Sequence, residues 1–137
     1  MEWKRELFRI VDNPDEIDID TVSRLLAGTY WGHRRSRVII EKLIQNSLCF
    51  SLFSGHEQIG FARVGTDYTV FSWLSDLVID ETYRNNCLGE WFLDCILEHP
   101  SINQTQFVLQ TKSAYQLYKR FGFEMSDKLM TRIPPST

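Results

Sequence analysis

The chain has 137 residues, 43% hydrophobic and 24% charged, with a formal net charge of −3. That size and balance predict one globular domain, residues 1–137, with a core of its own. A mildly acidic chain speaks against a general nucleic-acid binder, and no run nears the roughly 20 apolar residues of a membrane span.

The N-terminal Met1-Glu2-Trp3-Lys4-Arg5-Glu6 has no apolar stretch behind its charges, so no signal peptide is expected. Three cysteines, Cys49, Cys87 and Cys95, are odd in number and lack metal-ligand spacing. They point to a reducing cytoplasm and to no bound metal.

In chain order, residues 6–11 read as a first strand, closed by Asp12-Asn13-Pro14. Asp18 or Asp20 can cap a helix whose apolar side is Val22, Leu25, Leu26 and Tyr30. An aromatic and basic loop, Thr29 to Arg35, follows. Ser36 then starts a second helix with Val38, Ile39, Leu43 and Ile44 directed inward. Residues 48–53 and 58–64 form a hairpin through Ser54-Gly55-His56-Glu57. A further strand runs from about Thr69 to Ile79. A helix from Cys87 ends near His99-Pro100, because proline disfavours helix in the residue before it. Residues 107–110 are a short buried strand, and Ser113 can cap the next helix. Gly122 suits the end of that helix. Residues 123–125 and 128–133 read as closing strands.

Two stretches carry chemistry. In residues 77–92 an apolar strand breaks at Asp80-Glu81-Thr82, and apolar residues return at helical spacing with Leu88, Phe92, Cys95 and Ile96. Such an order aims free N–H groups and the positive end of a helix dipole at the loop, a ready site for phosphate. Arg84 adds a permanent cation there. An ordinary strand-to-helix connection with a solvated arginine has the same pattern. The second stretch is Ala114-Tyr115-Gln116-Leu117-Tyr118-Lys119-Arg120-Phe121-Gly122-Phe123.

Together these stretches resemble the GCN5-related N-acetyltransferase (GNAT) family, which moves acetyl groups from acetyl-CoA to amines. The first is similar to that family's Arg/Gln-x-x-Gly-x-Gly/Ala pyrophosphate motif, with Arg84, Cys87 and Gly89 in the defined positions. The second is similar to Ala-x-x-Leu-Tyr-x-x-x-Gly-Phe, at Ala114, Leu117, Tyr118, Gly122 and Phe123. The resemblance covers residues 48–126. It implies an α/β (α+β) fold: a central mixed, mostly antiparallel sheet of six to seven strands flanked by about four helices. Cys87 and Asn85 stand where the family usually has glycine. Asn tolerates left-handed backbone, whereas the Cβ of Cys87 bears on cofactor affinity rather than on the fold.

The resemblance also implies roles. Acetyl-CoA would be held by the backbone of Leu77, Val78 and Ile79 and by the loop Arg84, Asn85, Asn86, Cys87, Leu88 and Gly89. Tyr118 would protonate the leaving thiolate, since a phenol near pKa 10 stays protonated at neutral pH. Tyr115, three residues earlier, is the competing phenol, and aromatic packing is the plain alternative for Tyr118. Asp76 is the candidate base, acting through water, and His33 is the rival. Asp80 and Glu81 read as solvated, and His56 and His99 as structural.

For the acceptor, Tyr30, Trp31, Arg34, Arg35 and Trp73 form the candidate wall. Aromatic faces with guanidinium groups suit a small amine that also bears a carboxylate or phosphate. Core packing of Trp31 and solvation of the arginines is the competing account. The leading expectation is therefore an acetyl-CoA-dependent N-acetyltransferase of a small-molecule amine. A homodimer stays open. A protein or peptide acetyltransferase would want an open acidic groove. An acetyl-CoA-binding regulatory module without turnover is the third reading.

Overall fold

A computed structural model describes residues 1–33, 35–84 and 87–135. Six strands form one sheet: β1 (Glu2–Arg5), β2 (Phe8–Val11), β3 (Leu48–Ser54), β4 (Glu57–Thr66), β5 (Phe71–Ile79) and β6 (Gln106–Val108). Neighbours follow chain order, antiparallel from β1 through β5, with β6 parallel to β5. Four helices accompany them: α1 (Ile19–Ala27), α2 (Arg37–Gln45), α3 (Leu88–Glu98) and α4 (Tyr115–Lys119). The mixed, mostly antiparallel sheet with four helices is the architecture expected.

Alternation along the strands builds two cores. Phe50, Leu52, Ala62 and Val64 face α3, where they meet Phe92, Leu93 and Ile96. Their neighbours Cys49 and Phe61 face the opposite way, toward Val22, Leu25 and Leu26 of α1 and Ile40 of α2. Burying one such side chain contributes about 1.5–3 kcal/mol, so two apolar layers hold the sheet from both sides.

The helix starts follow from the sequence. Asp18 accepts from the Thr21 N–H at 3.2 Å and Ser36 from the Ile39 N–H at 3.3 Å. Buried Gln58 accepts from the Asp18 N–H at 2.8 Å, which ties the start of α1 to β4.

Four sequence expectations need correction. The strand expected at residues 6–11 is the second arm of a hairpin whose first arm is β1, with Glu6 in left-handed backbone at the turn. β1 is hard to read because it is an edge strand, largely charged and exposed. In α2 the buried residue is Ile40, while Val38 is 61% exposed; a continuous Val-Ile-Ile run allows several helical phases. α4 starts from Ala114 with no side-chain cap, so Ser113 does not cap it; Thr111 Oγ1 accepts from the Ala114 N–H at 3.0 Å just before the helix. Residues 123–133 form no strand. Phe123 packs edge-on against Tyr118 and Phe107, whereas Met125, Met130 and Ile133 stay exposed.

Candidate functional site

β5 changes phase in mid-strand. Val78 faces the α1 and α2 layer, yet Leu74 belongs to the α3 layer, although strict alternation would put both on one face. The shift occurs where Phe61 and Arg63 of β4 pair with Val78 and Ser75, so β5 holds one extra residue. Asp76 sits in that bulge at φ 58°. Bulges re-aim side chains and bend strands. Here the bend coincides with a parting of strands, because β6 pairs with β5 only at Phe71, Ser72 and Trp73. From Leu74 to Ile79 that edge of β5 has no strand beside it among the described residues.

A cavity of about 730 Å³ occupies the opening. Asp76 is fully buried in its wall. Arg63 Nε donates to Asp76 Oδ2 at 2.5 Å, and Arg35 Nη1 lies 2.6 Å from Oδ1. The Arg35 contact lacks the angles of a hydrogen bond, so it stands as an ion pair between two buried atoms. Arg63 Nη1 also donates to Ser47 Oγ at 3.4 Å.

Tyr30, Trp31 and Trp73 line the same space. They are 57%, 41% and 41% exposed, large aromatic faces left open at a cavity rather than packed away. Tyr30 meets Trp31 edge to face, and Lys112 Nζ lies 5.1 Å from the centre of the Tyr30 ring. Tyr118 lines the cavity from α4. Burial, with Tyr30 nearby, pushes its phenol pKa up from the ordinary value of 10, so the proton is held across the physiological range. Among the described residues its hydroxyl makes no hydrogen bond, so it is a free donor.

At the far end of β5 lies the strand-to-helix loop. Asp80 accepts from the Thr82 N–H at 3.0 Å and pairs with Arg24 of α1 at 3.2 Å. Arg84 Nε donates to the Ile79 carbonyl at 3.1 Å, fixing the side chain across the loop. Cys87, exposed and in left-handed backbone at φ 58°, is the residue from which α3 starts. A Cβ added at Gly89 would meet only Ile79 Cδ1, at an ordinary 3.8 Å, and Gly89 does not have positive φ. Nothing within the described protein therefore requires glycine here, although glycine weakens a helix by about 1 kcal/mol relative to alanine. Absence of a side chain beside free helix N–H groups fits a close-lying phosphate.

Residues 45–125 match the family model described as an acetyltransferase (GNAT) domain. The chain belongs to the GNAT acetyltransferase family. This GNAT chain is similar to a Xanthomonas campestris protein assigned to the same family, with 29% identity over 93% of this chain and 94% of that one, and a TM-score of 0.88. Two further structures share the fold. One, from meticillin-resistant Staphylococcus aureus, is a protein of unknown function assigned as an acetyltransferase, at 17% identity over 95% and 99% of the two chains and TM-score 0.77. The other, assigned as an acetyltransferase from Deinococcus radiodurans, has 14% identity over 94% and 92%, and TM-score 0.71. No curated protein matches the sequence.

The GNAT fold brings Tyr30, Trp31, Arg35, Trp73, Asp76, Leu77 and Tyr118 to one cavity. Arg84, Cys87, Leu88 and Gly89 gather at the other end of β5; Leu88 and Val78 point into the core, which leaves only their backbones for a ligand. Arg34, Asn85 and Asn86 lie outside the described residues. Tyr115 and His33 do not line the cavity, and His33 Nδ1 meets the Tyr30 carbonyl at 3.0 Å instead. Sequence reasoning missed Arg63 and Lys112. An arginine inside the apolar run Ile59-Gly60-Phe61-Ala62-Arg63-Val64 was a usable signal, since an inward charge must find a partner.

Proposed function

We propose that this chain, as one domain over residues 1–137, is a cytoplasmic N-acetyltransferase that uses acetyl-CoA to acetylate a small-molecule amine. The observation that carries the reading is the opening between β5 and β6, with the uncovered β5 edge on one side and Tyr118 on the other. An uncovered edge offers main-chain groups to an extended amide-bearing ligand much as a neighbouring strand would. The backbone of Leu77, Val78 and Ile79 would take the pantetheine arm. Arg84 and the N–H groups at the start of α3 would take the pyrophosphate. Free Cys49, Cys87 and Cys95 suit a reducing compartment.

Acetyl-CoA supplies an activated acyl carbon joined to sulfur. The acceptor nitrogen forms a bond to that carbon, the carbon–sulfur bond breaks, and the electron pair leaves on sulfur. Tyr118 gives its proton to that sulfur and regains one from solvent, while the nitrogen loses a proton to cavity water. Both oxygens of Asp76 face guanidinium groups, so in this reading Asp76 positions Arg35 and Arg63 rather than serving as the base.

A lysine-rich peptide is a poorer acceptor here because Arg35, Arg63 and Lys112 line the cavity. Release of free CoA, measured with a panel of amines at catalytic protein concentration, tests the proposal. Amine-dependent release over many turnovers is expected. Tight acetyl-CoA binding with no release for any amine would favour a binding module instead.

A further inference from the structure

The cavity wall carries more positive charge than the donor's seat explains. Arg35, Arg63 and Lys112 line it, and Asp76 is the one acidic side chain among the described lining residues. Asp76 offsets one cation. Two positive charges remain at a cavity in a chain whose net charge is −3. The phosphate loop does not account for them, because it begins at Asp80, four residues along β5 from Asp76. Four residues of extended chain span about 13 Å, and the pantetheine arm that would cover that distance is uncharged.

Nor are the guanidinium groups used up within the protein. Each carries five N–H donors in a planar fork. Among the described residues Arg35 engages only Asp76, through Nη1, and Arg63 engages Asp76 and, at 3.4 Å, Ser47. Their side chains are 22% and 19% exposed, enough to touch a ligand and enough burial to strengthen a charge pair over one in open water. Asp76 holds the two forks side by side against their mutual repulsion, and the left-handed bulge aims its carboxylate at them. Tyr30, Trp31 and Trp73 supply faces for the uncharged part of a small molecule.

We propose that the acceptor is a small amine that also bears an oxyanion group, a carboxylate or a phosphoester, and that Arg35 and Arg63 seat that group. This deepens the acetyl-transfer reading of the same cavity and rests on it. The oxyanion takes no part in bond making; it fixes the molecule so that the amine faces the donor, and Asp76 acts as a positioning residue. The seat selects against cationic polyamines and lysine side chains.

The test uses pairs of amines that differ only in the anion: an amino acid against its carboxamide, and an aminoalkyl phosphate against the parent amino alcohol. CoA release gives kcat/KM for each. The wild type is expected to prefer the anionic member by about tenfold or more, chiefly through KM, as a lost charged hydrogen bond implies. Arg35→Gln should bring the ratio near unity while keeping the wild-type thermal shift with acetyl-CoA, and Arg35→Lys should keep part of the preference. The carboxylate and phosphate pairs tell which oxyanion fits. Calorimetric binding of the same acceptors to the CoA-loaded protein is read separately. Binding that depends on the anion and is lost in Arg35→Gln supports the seat even where no acetyl transfer follows, so the two failures can be told apart. Preference for the neutral member, or a ratio unchanged in both Arg35→Gln and Arg63→Gln, overturns it.

Discussion

Arg63 on β4 reaches across the strand pair to bond Asp76 in the β5 bulge, 2.5 Å from Nε to Oδ2. The carboxylate is also 2.6 Å from Arg35, so one buried anion holds two cations together. Removing one member of a buried pair typically costs 3–5 kcal/mol, because the remaining charge loses its partner. Asp76→Ala should therefore lower unfolding stability by about 3 kcal/mol. Asp76→Asn should lose less, since Asn tolerates left-handed backbone and still accepts a hydrogen bond. Chemical denaturation of both variants checks the order; equal and small losses would mean the pair does not support the bulge.

A second, partly buried pair predicts acid sensitivity. His99 Nδ1 accepts from the Ser101 N–H at 3.1 Å, so its Nε2 bears the proton and donates to Asp12 Oδ2 at 2.7 Å. Burial works to raise the Asp12 pKa, but the bonds from His99 and the terminal amine outweigh it and hold the carboxyl below its ordinary 3.8. A depressed carboxylate contributes stability above its unfolded pKa and loses it as pH falls through the folded value. Asp12→Ala should cost about 1–3 kcal/mol at pH 7, leaving His99 without its acceptor. That difference should shrink below about pH 4. Melting curves from pH 7 to 2 measure it, and a constant gap would show that the charge of Asp12 is not what matters.

Much of this was legible in the sequence, and the gaps have physical causes. The hairpin and the bounds of α3 followed from local patterns that packing did not overrule, and of the two caps offered, Asp18 and Asp20, the structure takes Asp18. Tyr118 and Arg35 came out because the motif marks the one and the aromatic, basic loop the other, and both line the cavity together with Trp73 of β5. The role of Arg63 was hidden because it depends on a partner 13 residues away and on a one-residue bulge. No local pattern announces that bulge: Ser75-Asp76-Leu77 reads as plain strand. Residues 123–133 misled in the other direction, having strand-like composition and no neighbouring strand to pair with.

Tyr118→Phe should fold normally and bind acetyl-CoA, yet turn over about 10²–10⁴-fold more slowly as a general acid is lost. Because its pKa is raised above 10, the wild type should keep its acid form throughout the neutral and mildly alkaline range. A pH–rate profile in which kcat does not fall between pH 7 and about pH 9.5 is expected. If Tyr115→Phe shows the large loss instead, the proton donor is the other phenol.

Cys87 should be the thiol that reacts with a brief dose of alkylating reagent. Cys49 and Cys95 are buried, and burial pushes both thiols up to about 12, while Cys87 is exposed. Acetyl-CoA should protect Cys87. Cys87→Gly should leave binding as good or better, since left-handed backbone costs a residue with a Cβ about 1–2 kcal/mol. Peptide mapping with and without ligand decides, and equal labelling in both states would place the ligand elsewhere.

Gly89 offers the most direct test, because the free protein and the complex ask opposite things of it. A Cβ there meets only Ile79 at 3.8 Å, so Gly89→Ala should raise the stability of the free protein by up to about 1 kcal/mol through helix propensity. The same methyl group, and more so the larger side chain of Gly89→Val, should obstruct a phosphate lying on the start of α3. Calorimetric titration of acetyl-CoA into the wild type, Gly89→Ala and Gly89→Val is the measurement. The account predicts binding to the wild type, weaker binding to Gly89→Ala and none to Gly89→Val, all three being folded. Wild-type affinity in Gly89→Val would contradict it.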